Sequence, residues 1–444
     1  MQNGHYSCRQ QAYRPQRRQG LAALTVVMIL FFVMAMVAAY TNRNLIFEQR
    51  IATNSYRANR ALEATDAGVE WTVAMLNGGR INANCEPSPA GNVTDTDFRR
   101  RYHTDAPPNA NGEGGYDVIW ADVPNNRIYP ACVNREGVLS CICPTVLAAT
   151  PAIGGVADGL GSAFRVEFLL PGNAVRPGAM EFASRGCASV GTGAYACTSQ
   201  THDDLPTVDG LSGALTTVGL VRALPIPPIA ALTAGSIVSG TALVISNADA
   251  ATGLAAHAAS APKPVAGVVY RGPAGSGASP WLADSALADL RAEANNGWFR
   301  KMFGMDPATY QRQPAVRICT GVCTSSSLIN IIAGYPRNPI WVAGNLDLDT
   351  AGALGTATDP VMLIVAGQLT ISANAVITGF VHADSVVWAA GAAGASMRGA
   401  MVAKDTFAAA GLATLDYDRA VLDLISLRYG SFVRAPGSWN LIFR

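Results

Sequence analysis

Leu21-Ala22-Ala23-Leu24-Thr25-Val26-Val27-Met28-Ile29-Leu30-Phe31-Phe32-Val33-Met34-Ala35-Met36-Val37-Ala38-Ala39-Tyr40 is an apolar run without a charge. Arg9, Arg14, Arg17 and Arg18, then Gly20, stand before it. A helix of this length reaches about 30 Å, the thickness of a bilayer's hydrocarbon core. A spanning segment is helical because lipid leaves open backbone groups unsatisfied. The arginines, with no Asp or Glu among them, predict a cytoplasmic N-terminus and a remainder facing outward.

Three fates of this segment are distinguishable. A secretory signal would be cut after Val37-Ala38-Ala39, before Tyr40. An uncleaved anchor would keep Met1. A cut at Gly20–Leu21 would leave the apolar helix as the mature N-terminus. The run exceeds the roughly 7–15 apolar residues of an ordinary signal, and the basic segment before it is long.

From Tyr40 to Asn77 there is no proline, and Gly78-Gly79 supplies a stop. Ser55, Leu62, Val69 and Leu76 form one heptad row, and Ile51, Ala58, Thr65 and Thr72 another. Arg57, Arg60, Glu63 and Glu70 lie off both rows, so one face is apolar and another solvated. A continuous helix over 21–77 would be about 85 Å long.

Arg17-Arg18-Gln19-Gly20 followed by Leu21-Ala22-Ala23-Leu24 resembles a type IV prepilin leader. Phe47-Glu48-Gln49-Arg50-Ile51-Ala52-Thr53-Asn54 and Arg60-Ala61-Leu62-Glu63-Ala64-Thr65-Asp66-Ala67-Gly68-Val69-Glu70 resemble the N-terminal helix of PilX-type minor pilins. The resemblance covers roughly residues 17–77. It implies processing between Gly20 and Leu21 by a prepilin peptidase and N-methylation of Leu21. It also implies a place in the inner membrane with the head in the periplasm, then at the pilus tip or base. The implied partners are other minor pilins, the major pilin, a PilY-type tip adhesin and inner-membrane lipid, in support of adhesion or twitching motility.

The sequence departs from major pilins at the fifth mature position, where Thr25 replaces their glutamate; no acidic residue precedes Glu48. A carboxylate within a span is expensive unless paired. A subunit without one suits initiation or the tip better than a repeating shaft position. K-type pseudopilins of type II secretion systems share the omission and are the alternative machine. A membrane-tethered exported β-solenoid protein unrelated to pili is a third reading.

The net charge is +1, or −3 once the four leader arginines are removed. This near-neutral balance lacks the basic patch of a nucleic-acid binder. Charged residues make up only 14% of the chain, while Gly and Pro number 44 and 25, favouring strands and loops after the helix. Cys8 belongs to the leader. Cys85, Cys132, Cys141, Cys143, Cys187, Cys197, Cys319 and Cys323 remain, an even set on the oxidising side that permits about 105 connectivities. Cys187–Cys197 and Cys319–Cys323 are the favoured local pairs. Cys141 and Cys143 are expected to bond elsewhere, because a bridge between them would close a very tight loop. Their spacing fits zinc fingers or ribbons poorly.

Asp117-Val118-Ile119-Trp120 and Phe164-Arg165-Val166-Glu167-Phe168-Leu169-Leu170 read as strands. Ala223–Pro228 reads as a linker, and residues 261–280 as a loop. Helical spacing of Leu282, Leu287, Leu290 and Trp298 predicts one helix over Trp281–Phe303, ended by Gly304. Further on, Val342-Ala343-Gly344, Val365-Ala366-Gly367, Val381-His382-Ala383 and Met401-Val402-Ala403 recur, their alanines 23, 17 and 20 residues apart. Each precedes a second short segment: Leu346-Asp347-Leu348, Leu369-Thr370-Ile371, Val386-Val387-Trp388 and Thr406-Phe407-Ala408. Such periods predict about four stacked coils over 338–412, an antiparallel meander being the rival. Asp416–Ile425 reads as a helix capping the last coil. Pro436-Gly437-Ser438-Trp439 resembles the Ser-Trp close of long PilX-like proteins.

The expected fold class is α+β: a long pilin-like transmembrane helix, then a disulfide-containing, mainly β head with a C-terminal β-solenoid-like region. The expected boundaries are 1–20 for the leader, 21–77 for the spine helix, 78–335 for the α+β head, 336–430 for the repeats with their capping helix, and 431–444 for the tail. No catalytic constellation or cofactor motif stands out, so the chain reads as a non-enzyme. His202-Asp203-Asp204 reads as a solvated turn and His382 as structural. Asn345, Asp347 and Asp349 alternate as calcium ligands do, without the EF-hand glycine and glutamate. A glycan-cleaving β-helix would need paired groups on one face, for which Asp347 and Arg398 are the nearest candidates.

Overall fold

The computed structural model describes residues 19–88, 92, 94–105, 116–118, 128–135, 137–145, 160–169, 178–190, 211–239, 243–260, 267–275, 279–293, 296–392 and 394–442. The chain divides into two units, residues 1–57 and 58–444. In the first, the described residues are helical, the N-terminal part of the helix Gln19–Leu76, and side chains 22–56 are exposed.

The second unit begins with the last turns of that helix. Ala61, Ala64, Thr65, Gly68, Val69 and Thr72 are buried at helical spacing, as the heptad rows require. They pack on an antiparallel sheet that includes Ala131–Arg135, Leu160–Leu169, Ala179–Val190, Leu211–Arg222 and Gly430–Arg434. Val69, Leu76, Phe98, Phe164, Phe168 and Phe182 share the core. Backbones approach closely here: a Cβ on Gly186 would lie 2.3 Å from Ala61 O and 2.5 Å from Thr65 N. Asp117 and Val118 lie in the strand Tyr116–Val118, whereas Ile119, Trp120 and Leu170 fall outside the described residues.

Apart from two short antiparallel pairs, Arg80–Ile81 with Thr96–Asp97 and His103–Asp105 with Tyr116–Val118, the described strands outside the antiparallel sheet pair in parallel. Successive strands Ile340–Val342, Val361–Ile371, Ala375–Trp388 and Ser396–Ala409 lie side by side, and Ala230–Ser239 joins the far edge of the last. Three inward columns enclose one core. They are Val342–Val365–Ala383–Ala403–Ala234, Leu346–Leu369–Val386–Phe407–Ile237 and Leu354–Ile377–Met397–Leu415–Ile245. Val361-Met362-Leu363-Ile364-Val365 is buried at every position because helices cover the outer side of this face. In the strand register, Val365 pairs with Ala383 and Val386 with Phe407. The inward apolar columns set the pairing. Gly379 permits the close stacking: its φ is 152°, and a Cβ there would strike Val361 O.

Two local expectations are corrected. Trp281–Ala283 is a strand, and Ser285–Ala292 and Gly297–Phe303 are separate helices. Asp284 caps the first of these, and Asn296 precedes the second in a left-handed conformation at φ 55°. Parallel pairing with Ala256–Ala258 holds Trp281 extended, and tertiary contacts override the helical spacing. Gly304 does end the second helix. The helix near 416–425 is Arg419–Arg428, N-capped by Asp418. Val421, Leu422 and Ile425 pack on the outer face with Phe380, Ala400 and Val402, while Leu243–Ser246 extends the ladder beyond Ala413–Tyr417.

The parallel body is inserted between two neighbouring antiparallel strands. Arg222 and Gly430 are register partners, and Ala223 N donates to Tyr429 O at 2.8 Å. Ser438 Oγ and the Thr217 backbone exchange hydrogen bonds at 3.0 and 3.2 Å, and Trp439 packs on the sheet core.

Candidate assembly site and its anchor in the head

The N-terminal segment presents the first site. Its apolar side chains from Leu24 to Phe47 are exposed, including Phe31 at 74% and Phe32 at 63%. The helix is long and apolar enough to cross a membrane once, with a mean hydropathy of 2.7 in its most apolar window. Gly20 and Leu21 lie in its first turn. Thr25 Oγ1 donates to Ala22 O at 2.9 Å, so its hydroxyl is satisfied along its own helix. Thr41 and Thr53 do the same with Val37 O and Gln49 O. From Ala22 to Ala39 the only polar side chain is Thr25, whose hydroxyl is satisfied within the helix, so this stretch can pack in lipid or among other apolar helices.

The second site is where the helix ends in the head. Asn77 Nδ2 donates to Phe432 O, and Phe432 N donates to Asn77 Oδ1, both at 2.8 Å. The side chain thus behaves as one more residue of a sheet toward the returning C-terminal strand. Asn77 O in turn accepts from Asn338 Nδ2 at 3.2 Å and from Arg317.

A short helix, Phe98–Tyr102, ties these parts together. Arg99 donates to Leu76 O at 2.5 Å and Gly430 O at 2.7 Å. Arg100 binds Asp97 at 2.5 Å and Asp359 in the parallel body at 2.8 Å. Arg101 reaches Cys143 O at 2.6 Å and Ile81 O at 2.7 Å. Arg337 and Arg428 both pair with Asp105, at 2.9 and 3.4 Å. Burial opposes ionisation of Asp97, but the Arg100 charge and hydrogen bonds outweigh it and hold the carboxyl below its ordinary range. This hub of consecutive arginines escaped the sequence reading. Its signal was Arg99-Arg100-Arg101 in a chain otherwise poor in charge.

Among the described residues, disulfides join Cys85 to Cys143, Cys132 to Cys141 and Cys319 to Cys323. Cys141 and Cys143 thus bond to different partners. Cys187 is also disulfide-bonded, while Cys197, its expected partner, lies outside the described residues, as do Cys8 and His202-Asp203-Asp204. The calcium-like trio is spread over separate contacts. Asn345 Oδ1 accepts from Gln368 N at 2.9 Å, Asp347 Oδ1 from Ser372 Oγ at 2.5 Å, and Asp349 Oδ1 from Ser325 Oγ at 2.8 Å. Among the described residues, no three His, Cys, Asp or Glu side chains gather as a metal site. Arg398 pairs with Asp418 at 2.6 Å, away from Asp347 in the register.

Comparison with known families matches residues 19–70 to PilX N-terminal. Comparison with curated proteins returns no match. Among solved structures, the chain is similar to the competence-associated pilin ComZ from Thermus thermophilus. The two share 11% identity over 87% of this chain and 98% of that one, with a TM-score of 0.22.

Proposed function

We propose that this chain, whose N-terminal helix is that of a PilX-type minor pilin, acts in initiation or at the tip of a type IV pilus. The match of residues 19–70 carries the reading, and the exposed apolar side chains of 22–56 support it. The helix enters the inner membrane with its N-terminus in the cytoplasm. A prepilin peptidase cuts after Gly20 and Leu21 becomes the methylated mature N-terminus. Leu21–Tyr40 then packs among the helices of the major and other minor pilins. Thr25 offers no carboxylate to a neighbour's terminal amine, which favours an end position over a repeating one. The role is structural: binding and placement of subunits, without catalysis.

The head supplies partner surface. We read the three inward columns of parallel strands as coils of a β-solenoid, held on the spine by the arginine hub. A PilY-type adhesin is the partner this reading assigns to that head.

The test is the mature N-terminus, determined by mass spectrometry from cells with and without a prepilin peptidase. A peptidase-dependent, methylated Leu21 is the expected result. A start at Tyr40, or an intact Met1, would overturn the assignment. A deletion strain should lose surface pili, twitching or adhesion; intact pili with lost protein secretion would move the chain to a type II pseudopilus.

A further inference from the structure

The two outer strands of the antiparallel sheet differ in how their edges are treated. At Gly430–Arg434 the edge is engaged, because Asn77 bonds both the N–H and the carbonyl of Phe432. At the other end stands Val138–Ile142, which among the described residues pairs on one side only, with Ala131–Arg135. Exposed strand edges are ordinarily guarded by lysine, proline, a bulge or a covering segment. Val138-Leu139-Ser140-Cys141-Ile142 has no charge and no proline, and its register with Ala131–Arg135 runs without a bulge. Val138 is 71% exposed and Leu139 46%, on opposite faces of the strand. The bridge between Cys132 and Cys141, which are register partners, fixes this edge strand to its neighbour.

The direction of each backbone group follows from the pairing. Val166 N donates to Pro130 O at 2.9 Å, so Pro130, Cys132 and Asn134 turn their backbone groups toward Leu160–Leu169. Ala131, Val133 and Arg135 therefore bond to Ile142, Ser140 and Val138. The Cα atoms of Cys132 and Cys141 are 4.1 Å apart, the close spacing of a pair without mutual hydrogen bonds. The N–H and C=O groups of Leu139 and Cys141 thus point out of the sheet edge, and among the described residues nothing bonds to them.

We infer that Val138–Ile142 pairs edge to edge with the same strand of a second copy, antiparallel about a two-fold axis at Ser140. In that register Leu139 faces Cys141 of the second copy and Cys141 faces its Leu139. The outward N–H and C=O groups of both copies then satisfy one another. Ser140 meets Ser140 of the second copy with Cα atoms about 4.5 Å apart. Val138 meets Ile142, an apolar pair. No charge opposes another within the strand pair, and this self-complementarity is what selects a second copy as the occupant. The axis is perpendicular to the sheet, and the last spine turns lie on that sheet through Thr65. Those turns therefore point in opposite directions in the two copies, so the pair joins heads that approach from opposite sides. A five-residue edge falls short of the roughly 1,000 Å² of a stable interface, so the pair is weak alone and gains from many copies held together. The inference does not rest on the pilus assignment, and its failure would leave that assignment intact.

The test uses the full chain in detergent, first by sedimentation at rising concentration. The unmodified chain should pass from monomer to dimer. S140K sets two cations opposite each other at the axis and should weaken the dimer about fivefold or more. Mild oxidation of S140C should trap a covalent dimer, because Cα atoms at that spacing suit a disulfide. V138C faces Ile142 of the second copy and should not cross-link. A monomer throughout with no S140C dimer would overturn the inference, as would V138C cross-linking equal to that of S140C. Undiminished association of S140K would put the contact on another surface and overturn it too, even where the new thiol of S140C mispairs. S140C linked in cells to a different protein, and not to itself, would give the edge another occupant, with the same result.

Discussion

The backbone N–H of Gly186 donates to Thr65 Oγ1 at 3.0 Å, joining the central strand of the antiparallel sheet to the buried face of the spine helix. Ser184 Oγ donates to Thr65 O at 2.8 Å on the same strand. Thr65 is therefore a hydrogen-bonding seam inside an apolar interface, and it works only because Gly186 lets the helix backbone approach.

Gly186→Ala should lower stability by about 1–3 kcal/mol, the cost of overpacking a closed interface. The added Cβ would meet Ala61 O at 2.3 Å, and backbone cannot move aside as a side-chain end can. Gly219→Ala on the adjacent strand is the control, because its Cβ meets nothing within 4 Å. Denaturant midpoints of the two variants should differ clearly. Equal midpoints would mean that the helix is not seated as closely as Thr65 and Gly186 indicate.

The spine was legible in the sequence because its period is local: Ala61, Thr65, Val69 and Thr72 all fall on one face. The recurrence of short apolar segments after residue 340 likewise pointed to pairing between successive strands. Ala230–Ser239 was not legible as a neighbour of Ser396–Ala409, because nothing local marks a strand for a partner some 170 residues away. The break before Gly297 was hidden by apolar spacing that continues across it. The arginine hub was missed for a third reason. Its acceptors are mostly backbone carbonyls, Leu76 O, Gly430 O and Cys143 O among them, and carbonyls leave no trace in residue identity.

Arg100→Ala should destabilise the head by about 3 kcal/mol, the scale for removing one partner of a buried ion pair. Asp97 would be left with its side chain 4% exposed, and Asp359 would lose the bond from the hub. Adding Asp97→Asn should recover part of the loss, since the stranded charge goes with it. Strictly additive effects in this double-mutant cycle would show that the two groups are not coupled.

Acid should weaken the head in two windows. His103 and His382 have folded pKa values pushed down by burial to about 4 and about 3, against an ordinary value of 6.5. The unfolded chain therefore takes up protons first, and stability falls as pH drops from 6.5 toward those folded values. The slope is about 1.4 kcal/mol per pH unit for each group. Asp97, held below its ordinary 3.8, contributes above that value and loses its contribution as pH falls through the lower folded one. His382→Phe should flatten the first window by one group's slope. An unchanged slope in pH-dependent unfolding would mean that His382 titrates as freely folded as unfolded.

The disulfides should differ in worth according to the chain each one closes. Cys85–Cys143 spans 58 positions and Cys319–Cys323 only 4. Loop-closure entropy then assigns about 4 kcal/mol to the first and about 2 kcal/mol to the second. The longer bridge also fixes the segment to which Arg101 donates, through Cys143 O and Ile81 O. Replacing Cys85 and Cys143 by alanine should therefore loosen the hub as well as the unfolded chain, and thermal unfolding should shift further than for Cys319 and Cys323. A larger shift from the shorter bridge would show that the loop after Arg317–Cys319, rather than the hub, limits the stability of the head.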